Sequence, residues 1–200
     1  MAAERRPASF AACAAHVRAL AGEPCTLVGY SMGGRIALYT ALALPGDVER
    51  LVLVGASPGL ADAAEREARR RADEALADRI ETIGAEAFAD EWGAQELFAG
   101  QPERVAAAAH ADRLRNTATG LAAALRGLGT GAMPSLWERL GELAIPVTLI
   151  VGERDAKFRA IAGRMASALP DCRVEVVPGA GHAVQLERPE AVAAAISGAS

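Results

Sequence analysis

Short apolar runs and longer stretches with an apolar residue every three or four positions alternate along this chain. The runs fall at residues 25–30, 50–55, 146–152 and 172–177. The second, Arg50-Leu51-Val52-Leu53-Val54-Gly55, is apolar on both faces, as a strand buried in a parallel sheet must be. Between the runs the period changes to that of a helix. Ser9 can cap a helix reaching about Leu20, with Phe10, Cys13, Val17 and Leu20 on one side, and Gly22-Glu23-Pro24 ends it. Ile36, Ala37, Leu38, Ala41 and Leu42 mark a second helix, which stops near Pro45-Gly46-Asp47. Residues 61–140 are helical in pattern throughout, with helices predicted over 65–83, 85–92, 102–112, 117–125 and 134–140. Gly84, Gly93, Gly100 and the cluster at 127–131 punctuate them. No period in this block suggests a repeat array. Helices over 157–169 and 189–196 flank the last run. Strands alternating with helices imply an α/β fold, a parallel sheet with helices on both faces. The helical block interrupts the alternation between the second and third strands. The expected organisation is a core from 1–60 and 141–200, with 61–140 as a helical lid over the strand ends.

Composition narrows the functional classes. With 200 residues there is room for one domain and a sizeable core. A net charge of -4 argues against a general nucleic-acid or anionic-membrane binder. No apolar run is long enough to span a bilayer, and the N-terminus lacks the form of a secretory signal. Cys13, Cys25 and Cys172 are odd in number and lack metal or redox spacing, so they read as small buried residues in a reducing, cytoplasmic compartment. Lys157 is the only lysine. Coding bias, in step with the abundant alanine, explains the excess of arginine. The functional alternative is a site that grips carboxylates with guanidinium forks.

The chemistry centres on Gly29-Tyr30-Ser31-Met32-Gly33, set between the first strand and the second helix. A Gly-x-Ser-x-Gly turn in that context is a nucleophile elbow. Gly29 and Gly33 would let strand and helix pack closely, with Ser31 at the tip of the turn. The helix N-terminus there favours developing negative charge, and the Met32 amide would be one oxyanion donor. An elbow serine needs a base and a group to orient it. Of three histidines, His16 lies in the first helix and His110 in the helical block, with no obvious partner. His182 follows the last strand in Gly179-Ala180-Gly181-His182, and Asp155 follows the third in Gly152-Glu153-Arg154-Asp155. Acids there lie on the ligand-binding edge of an open parallel sheet. The order Ser31, Asp155, His182, each in a post-strand loop, is that of the α/β-hydrolase triad. Glu153 is a competing acid, and Asp155 has the competing role of capping the next helix.

At this level of detail the chain resembles the 2-succinyl-6-hydroxy-2,4-cyclohexadiene-1-carboxylate synthases of menaquinone biosynthesis, which are lyases of the α/β-hydrolase fold. The resemblance rests on the elbow through Arg35, Gly55-Ala56-Ser57-Pro58-Gly59-Leu60, residues 65–73, Trp92 with Leu97-Phe98-Ala99, Arg113-Leu114-Arg115-Asn116, residues 125–131, Val151 through Phe158, and the His182 loop. It implies that Ser31, Asp155 and His182 act as a base relay removing a substrate proton, after which pyruvate leaves. It implies no metal and no organic cofactor. Arg35, Arg69 and Arg115 would receive the carboxylates of a small polycarboxylate substrate, and Tyr30 and Trp92 would line the pocket. From the residues alone, Arg69 reads equally as a solvated helix face paired with nearby acids, and Trp92 as lid core.

The resemblance also implies strands before residue 25 and a His-Gly loop supplying a second oxyanion donor. Neither is present in this sequence, and the expectation is therefore an N-terminally truncated synthase whose elbow strand forms a bare sheet edge. Two other functions compete. One is an esterase or thioesterase with Ser31 as a true nucleophile; the other is a non-catalytic fragment that binds through its exposed edge.

Overall fold

The structure, a computed structural model, describes residues 9–198. Its elements in chain order are α1 (Phe10–Ala21), β1 (Cys25–Tyr30), α2 (Met32–Ala43) and β2 (Val48–Val54), then α3 (Ala63–Gly93), α4 (Glu103–Arg113) and α5 (Ala118–Leu128). After these come β3 (Val147–Gly152), α6 (Ala156–Ala166), β4 (Cys172–Val177), α7 (Val184–Glu187) and α8 (Pro189–Ser197). The four strands form one wholly parallel sheet in the order β1-β2-β3-β4.

The alternation of side chains along a strand explains the two-sided core. Leu51 and Leu53 of β2 face a cluster with Leu38, Ala41, Leu149 and Met165 under α2 and α6, while Val52 and Val54 face Ile150, Val184 and Val192 under α7 and α8. Each of these β2 side chains is buried, contributing roughly 1.5–3 kcal/mol by removal from water. Every residue of β3 is buried as well. β1 pairs only with β2 among the described residues, and its Val28 is exposed.

Caps set the helix starts. Ser9 Oγ accepts from the Ala12 amide at 3.2 Å, Asp62 from Glu65 at 2.8 Å and Thr117 from Gly120 at 3.1 Å. Gly84 at φ 87 and ψ 170 breaks α3, as the predicted division between 65–83 and 85–92 requires. The pattern did not anticipate α7 or the 3-10 turn at Glu96–Phe98, both too short to show a period. β2 also starts two residues before the predicted run, at Val48 and Glu49, where a polar residue obscures the apolar signal.

The helical block leaves the sheet after β2 and returns at β3. Leu136 donates its amide to Pro58 O at 2.8 Å and Trp137 donates Nε1 to Gly59 O at 3.0 Å, so the segments by which the chain enters and leaves the block are tied together. Arg126 of α5 meets Glu74, Asp78 and Glu81 of α3 at 2.8, 2.6 and 3.0 Å. This arrangement leaves the carboxyl ends of β1, β2 and β3 facing one space beneath the helices.

Candidate active site

Ser31 is the only non-glycine among the described residues with positive φ, at 49°. A serine held there is strained and persists because the surroundings fix it. Its amide donates to Val54 O at 2.8 Å, tying the turn to β2. A Cβ on Gly29 would lie 2.5 Å from Gly33 O, and one on Gly34 would lie 2.5 Å from Ala56 Cβ. A Cβ on Gly33 would meet nothing, so the close strand–helix approach rests on Gly29 and Gly34 and not on Gly33. Met32 opens α2, where a helix has no intrahelical acceptor for its first amides, and it lines the same cavity as Ser31.

His182 Nε2 lies 3.2 Å from Ser31 Oγ, and Nδ1 lies 2.7 Å from Asp155 Oδ2. His182 and Asp155 are both buried. With Nδ1–H donating to the carboxylate, the Nε2 lone pair faces the serine hydroxyl, as a base requires. Asp155 Oδ1 meanwhile accepts from the Phe158 amide at 3.1 Å and caps α6. Capping and orienting are both carried by one carboxylate. Glu153, the competing acid, instead accepts from the Gly179 amide at 2.8 Å. His16 is exposed on α1, and His110 has a partner the sequence did not reveal, Asp90 at 3.6 Å.

Three aromatic rings pack around the imidazole: Phe158 at 4.6 Å between centroids, Tyr30 at 5.3 Å and Phe98 at 6.2 Å. Burial pushes the Tyr30 hydroxyl up to about 12, against a smaller opposing effect of its hydrogen bond with Gln185. Gly55 closes the remaining side. It has φ 55, and a Cβ there would stand 2.9 Å from His182 Cε1.

The triad opens into a cavity of about 1120 Å³ whose walls include Arg35, Arg69, Trp92 and Arg113. Arg35 is held down to about 10, first by burial and then by the neighbouring charge of Arg69, with Asp73 acting in the opposite direction. Its Nη1 is buried without a hydrogen-bond partner among the described residues. Arg69 donates Nε to buried Asp73 at 2.7 Å, and Asp73 also accepts from the Gly131 amide at 3.2 Å. Two guanidiniums thus share one carboxylate, leaving an excess of positive charge at the cavity wall. Trp92 packs on Phe88 at 5.3 Å while also lining the cavity, so both readings of it describe real contacts.

Arg115 is not brought to the cavity. It lies beyond the end of α4, pairs with Asp112 at 3.3 Å and is 82% exposed. Arg113 lines the cavity instead, its guanidinium 5.0 Å from the Phe98 ring centroid and its pKa lowered by burial. Arg113 is the last residue of α4 and Arg115 falls in the turn after Leu114, so the two side chains leave the chain in different directions. The face of α4 was not readable from a stretch rich in alanine. Among the described residues no cluster of His, Cys, Asp or Glu could hold a metal ion, and no helix is long and apolar enough to cross a membrane.

Residues 2–195 match the alpha/beta hydrolase family. A Bacillus subtilis (strain 168) protein named as a candidate 2-succinyl-6-hydroxy-2,4-cyclohexadiene-1-carboxylate synthase is 46% identical over 166 residues, which are 82% of this chain and 61% of that protein. The synthase of that name from Escherichia coli O1:K1 is 35% identical over 171 residues, 86% of this chain and 66% of its own length. The solved structure of MenH from S. aureus superposes with a TM-score of 0.92 at 31% identity, covering 99% of this chain and 77% of that one. The chain therefore spans somewhat under two thirds of the length of the two curated relatives.

Proposed function

We propose, on the premise that the chain belongs to the alpha/beta hydrolase family and within it to the 2-succinyl-6-hydroxy-2,4-cyclohexadiene-1-carboxylate synthases, that it eliminates pyruvate from 2-succinyl-5-enolpyruvyl-6-hydroxy-3-cyclohexene-1-carboxylate. The observation that carries this reading is a serine–histidine–aspartate relay opening into the same cavity as the Arg35–Arg69 cation pair. A hydrolase of neutral esters has no need of such charge, whereas a substrate with several carboxylates does.

In the proposed mechanism Ser31 gives its proton to His182 Nε2 as its oxygen takes a proton from substrate carbon. Asp155 stabilises the imidazolium. The electron pair moves through the ring, the carbon–oxygen bond to the enolpyruvyl group breaks, and the leaving enolate regains a proton from His182 and becomes pyruvate. The Met32 amide faces the charge that develops on oxygen. Arg35, Arg69 and Arg113 receive carboxylates, Tyr30 and Trp92 flank the ring, and residues 61–140 serve as a lid that excludes water. Tyr30 stays protonated throughout the physiological range and acts as a neutral donor. No metal or organic cofactor enters these steps.

Pyruvate release by the purified chain, coupled to lactate dehydrogenase, tests the reading with Ser31→Ala as control. Release abolished by the substitution supports it. Stoichiometric labelling of Ser31 by a fluorophosphonate, with aryl-ester turnover and no pyruvate, would replace it with an esterase.

A further inference from the structure

Glu187 is a carboxylate the proposed mechanism does not use, and it is 2% exposed. Burying it is costly unless its partners repay the lost hydration. Its Oε2 accepts from the Gly181 amide at 2.9 Å, the peptide immediately before His182, and from Arg154 Nη2 at 2.7 Å. Oε1 has no hydrogen-bond partner among the described residues and sits where a Cβ on Gly181 would stand 3.0 Å away. Arg154 is the residue before Asp155. Its amide donates to Ala180 O at 2.9 Å, so the aspartate and histidine loops are joined at this point by backbone as well as side chain.

Arg154 has a second arm. Nη1 donates to Gly100 O at 2.8 Å. Gly100 closes the short segment of the helical block that begins with the 3-10 turn Glu96–Phe98, and Phe98 is the ring packed edge-on against His182. One guanidinium therefore touches the carboxylate that fixes the histidine loop and the backbone of the segment that covers the histidine. A planar fork with two separate nitrogens can hold both at once, and a single ammonium cannot.

We propose that Arg154, acting through Glu187, is a positioning residue that couples the seating of residues 96–101 over the site to the aim of His182 at Ser31. The pyruvate readout below rests on the proposed lyase function; the other two readouts do not. When the 96–101 segment is seated, Gly100 O fixes Arg154, Arg154 fixes Glu187, and Glu187 fixes the peptide that carries the imidazole. When the segment lifts, that chain of contacts loses its first link, and the base is less well held while the cavity is open to water.

The test uses the full chain with Arg154→Lys and Arg154→Ala. Lysine can keep the Glu187 contact and loses the bridge; alanine loses both. Hydrogen exchange at amides 97–101 is expected to quicken by about tenfold in both variants, as loss of a charged hydrogen bond would give. The downfield proton of the His182–Asp155 hydrogen bond is expected to broaden or shift most in Arg154→Ala. Pyruvate kcat should fall about tenfold in Arg154→Lys with KM within about threefold, the pattern of a disturbed catalytic geometry. Unchanged exchange at 97–101 with an unchanged downfield proton would overturn the proposal. So would a uniform rise in exchange along the whole chain with a matching fall in folded fraction, which is what a purely structural ion pair predicts. If the unaltered chain releases no pyruvate, the lyase reading fails, and the coupling is still decided by exchange and the imidazole proton.

Discussion

Gly55→Ala puts one methyl group against the His182 ring. Gly55 directly follows β2, donates its amide to Ile150 O at 2.9 Å and has φ 55. The new Cβ would stand 2.9 Å from His182 Cε1 and 3.1 Å from Nδ1, where ordinary contact begins at 3.4 Å. The ring must therefore retreat by about 0.5 Å, because the β2 backbone is pinned by its sheet hydrogen bonds. A left-handed alanine costs roughly 1–2 kcal/mol and the overpacking about 1–3 kcal/mol more. At about 2–4 °C per kcal/mol the melting temperature should fall by roughly 4–20 °C. The displaced imidazole pulls on bonds of 2.7 Å to Asp155 and 3.2 Å to Ser31. Since a misplacement of about 1 Å can cost a hundredfold in rate, half that should cost about tenfold in kcat. Gly46→Ala is the control: it has φ 98 and nothing near its Cβ, so it bears the backbone strain without the clash. Differential scanning fluorimetry and pyruvate release on both variants, with the rate of fluorophosphonate labelling as a measure independent of substrate, separate the two effects. If Gly55→Ala matches Gly46→Ala in both melting temperature and Ser31 reactivity, the close approach to His182 is not a constraint and the reasoning is refuted.

Asp155→Asn should lower kcat by about 10³–10⁴-fold by presenting the wrong hydrogen to the imidazole, yet leave melting nearly unchanged because the amide oxygen can still cap α6; Asp155→Ala should lose both, about 1 kcal/mol of it from the cap. Arg35→Gln should raise KM by tenfold or more in steady-state assays, whereas Arg115→Gln should leave kcat and KM within twofold, since its side chain lies in solvent; a large effect of the second would show that the 113–116 turn refolds onto the substrate. Tyr30 has a folded-state pKa raised to about 12, so its contribution is fully present below the ordinary tyrosine value near 10 and is lost as pH rises from there toward 12. The stability difference between the chain and Tyr30→Phe should therefore be constant below about pH 9 and shrink between about pH 10 and 12, by on the order of 2 kcal/mol, in urea melts; a difference that grows with pH would reverse the sign.

The sheet was legible because its central strands, β2 and β3, are buried on both faces. Leu51 through Val54 read as one apolar run, and the structure divides them between two cores by simple alternation. The elbow was legible for a related reason. A sharp strand-to-helix turn admits few residue types, and Gly29 leaves 2.5 Å for any Cβ. The helical block was harder to read. Its helices begin and end where glycines and caps place them, but alanine at so many positions erases the contrast between faces, and so Arg113 and Arg115 could not be told apart. Nor could sequence spacing show Gly55 at the histidine, since it reaches the ring through tertiary packing from the end of β2, and α7, which carries Glu187 back to the Gly181 amide, is too short to show a period.

Asp155 shows why a structural role and a catalytic one are poor alternatives at such a site. The α6 cap fixes Oδ1 through the Phe158 amide, and that bond turns Oδ2 toward His182. Phe158 then lays its ring 4.6 Å from the imidazole it has helped to aim. Arg69 repeats the pattern on the opposite wall. Its local pair with Asp73 is the i,i+4 contact expected of a solvated helix, yet Asp73 is buried and also holds the Gly131 amide from the far end of the helical block. That pair fixes the guanidinium beside Arg35 and neutralises only half of the combined charge. A mobile Arg69 would lose side-chain entropy on meeting an anion; one already held by Asp73 has lost it in folding. The local ion pair therefore favours ligand binding, and Asp73→Asn, which frees Arg69 while raising the net positive charge, should weaken substrate binding if ordering outweighs charge and tighten it if charge outweighs ordering. The structure favours the first, because the pair is half-buried and its second partner is backbone.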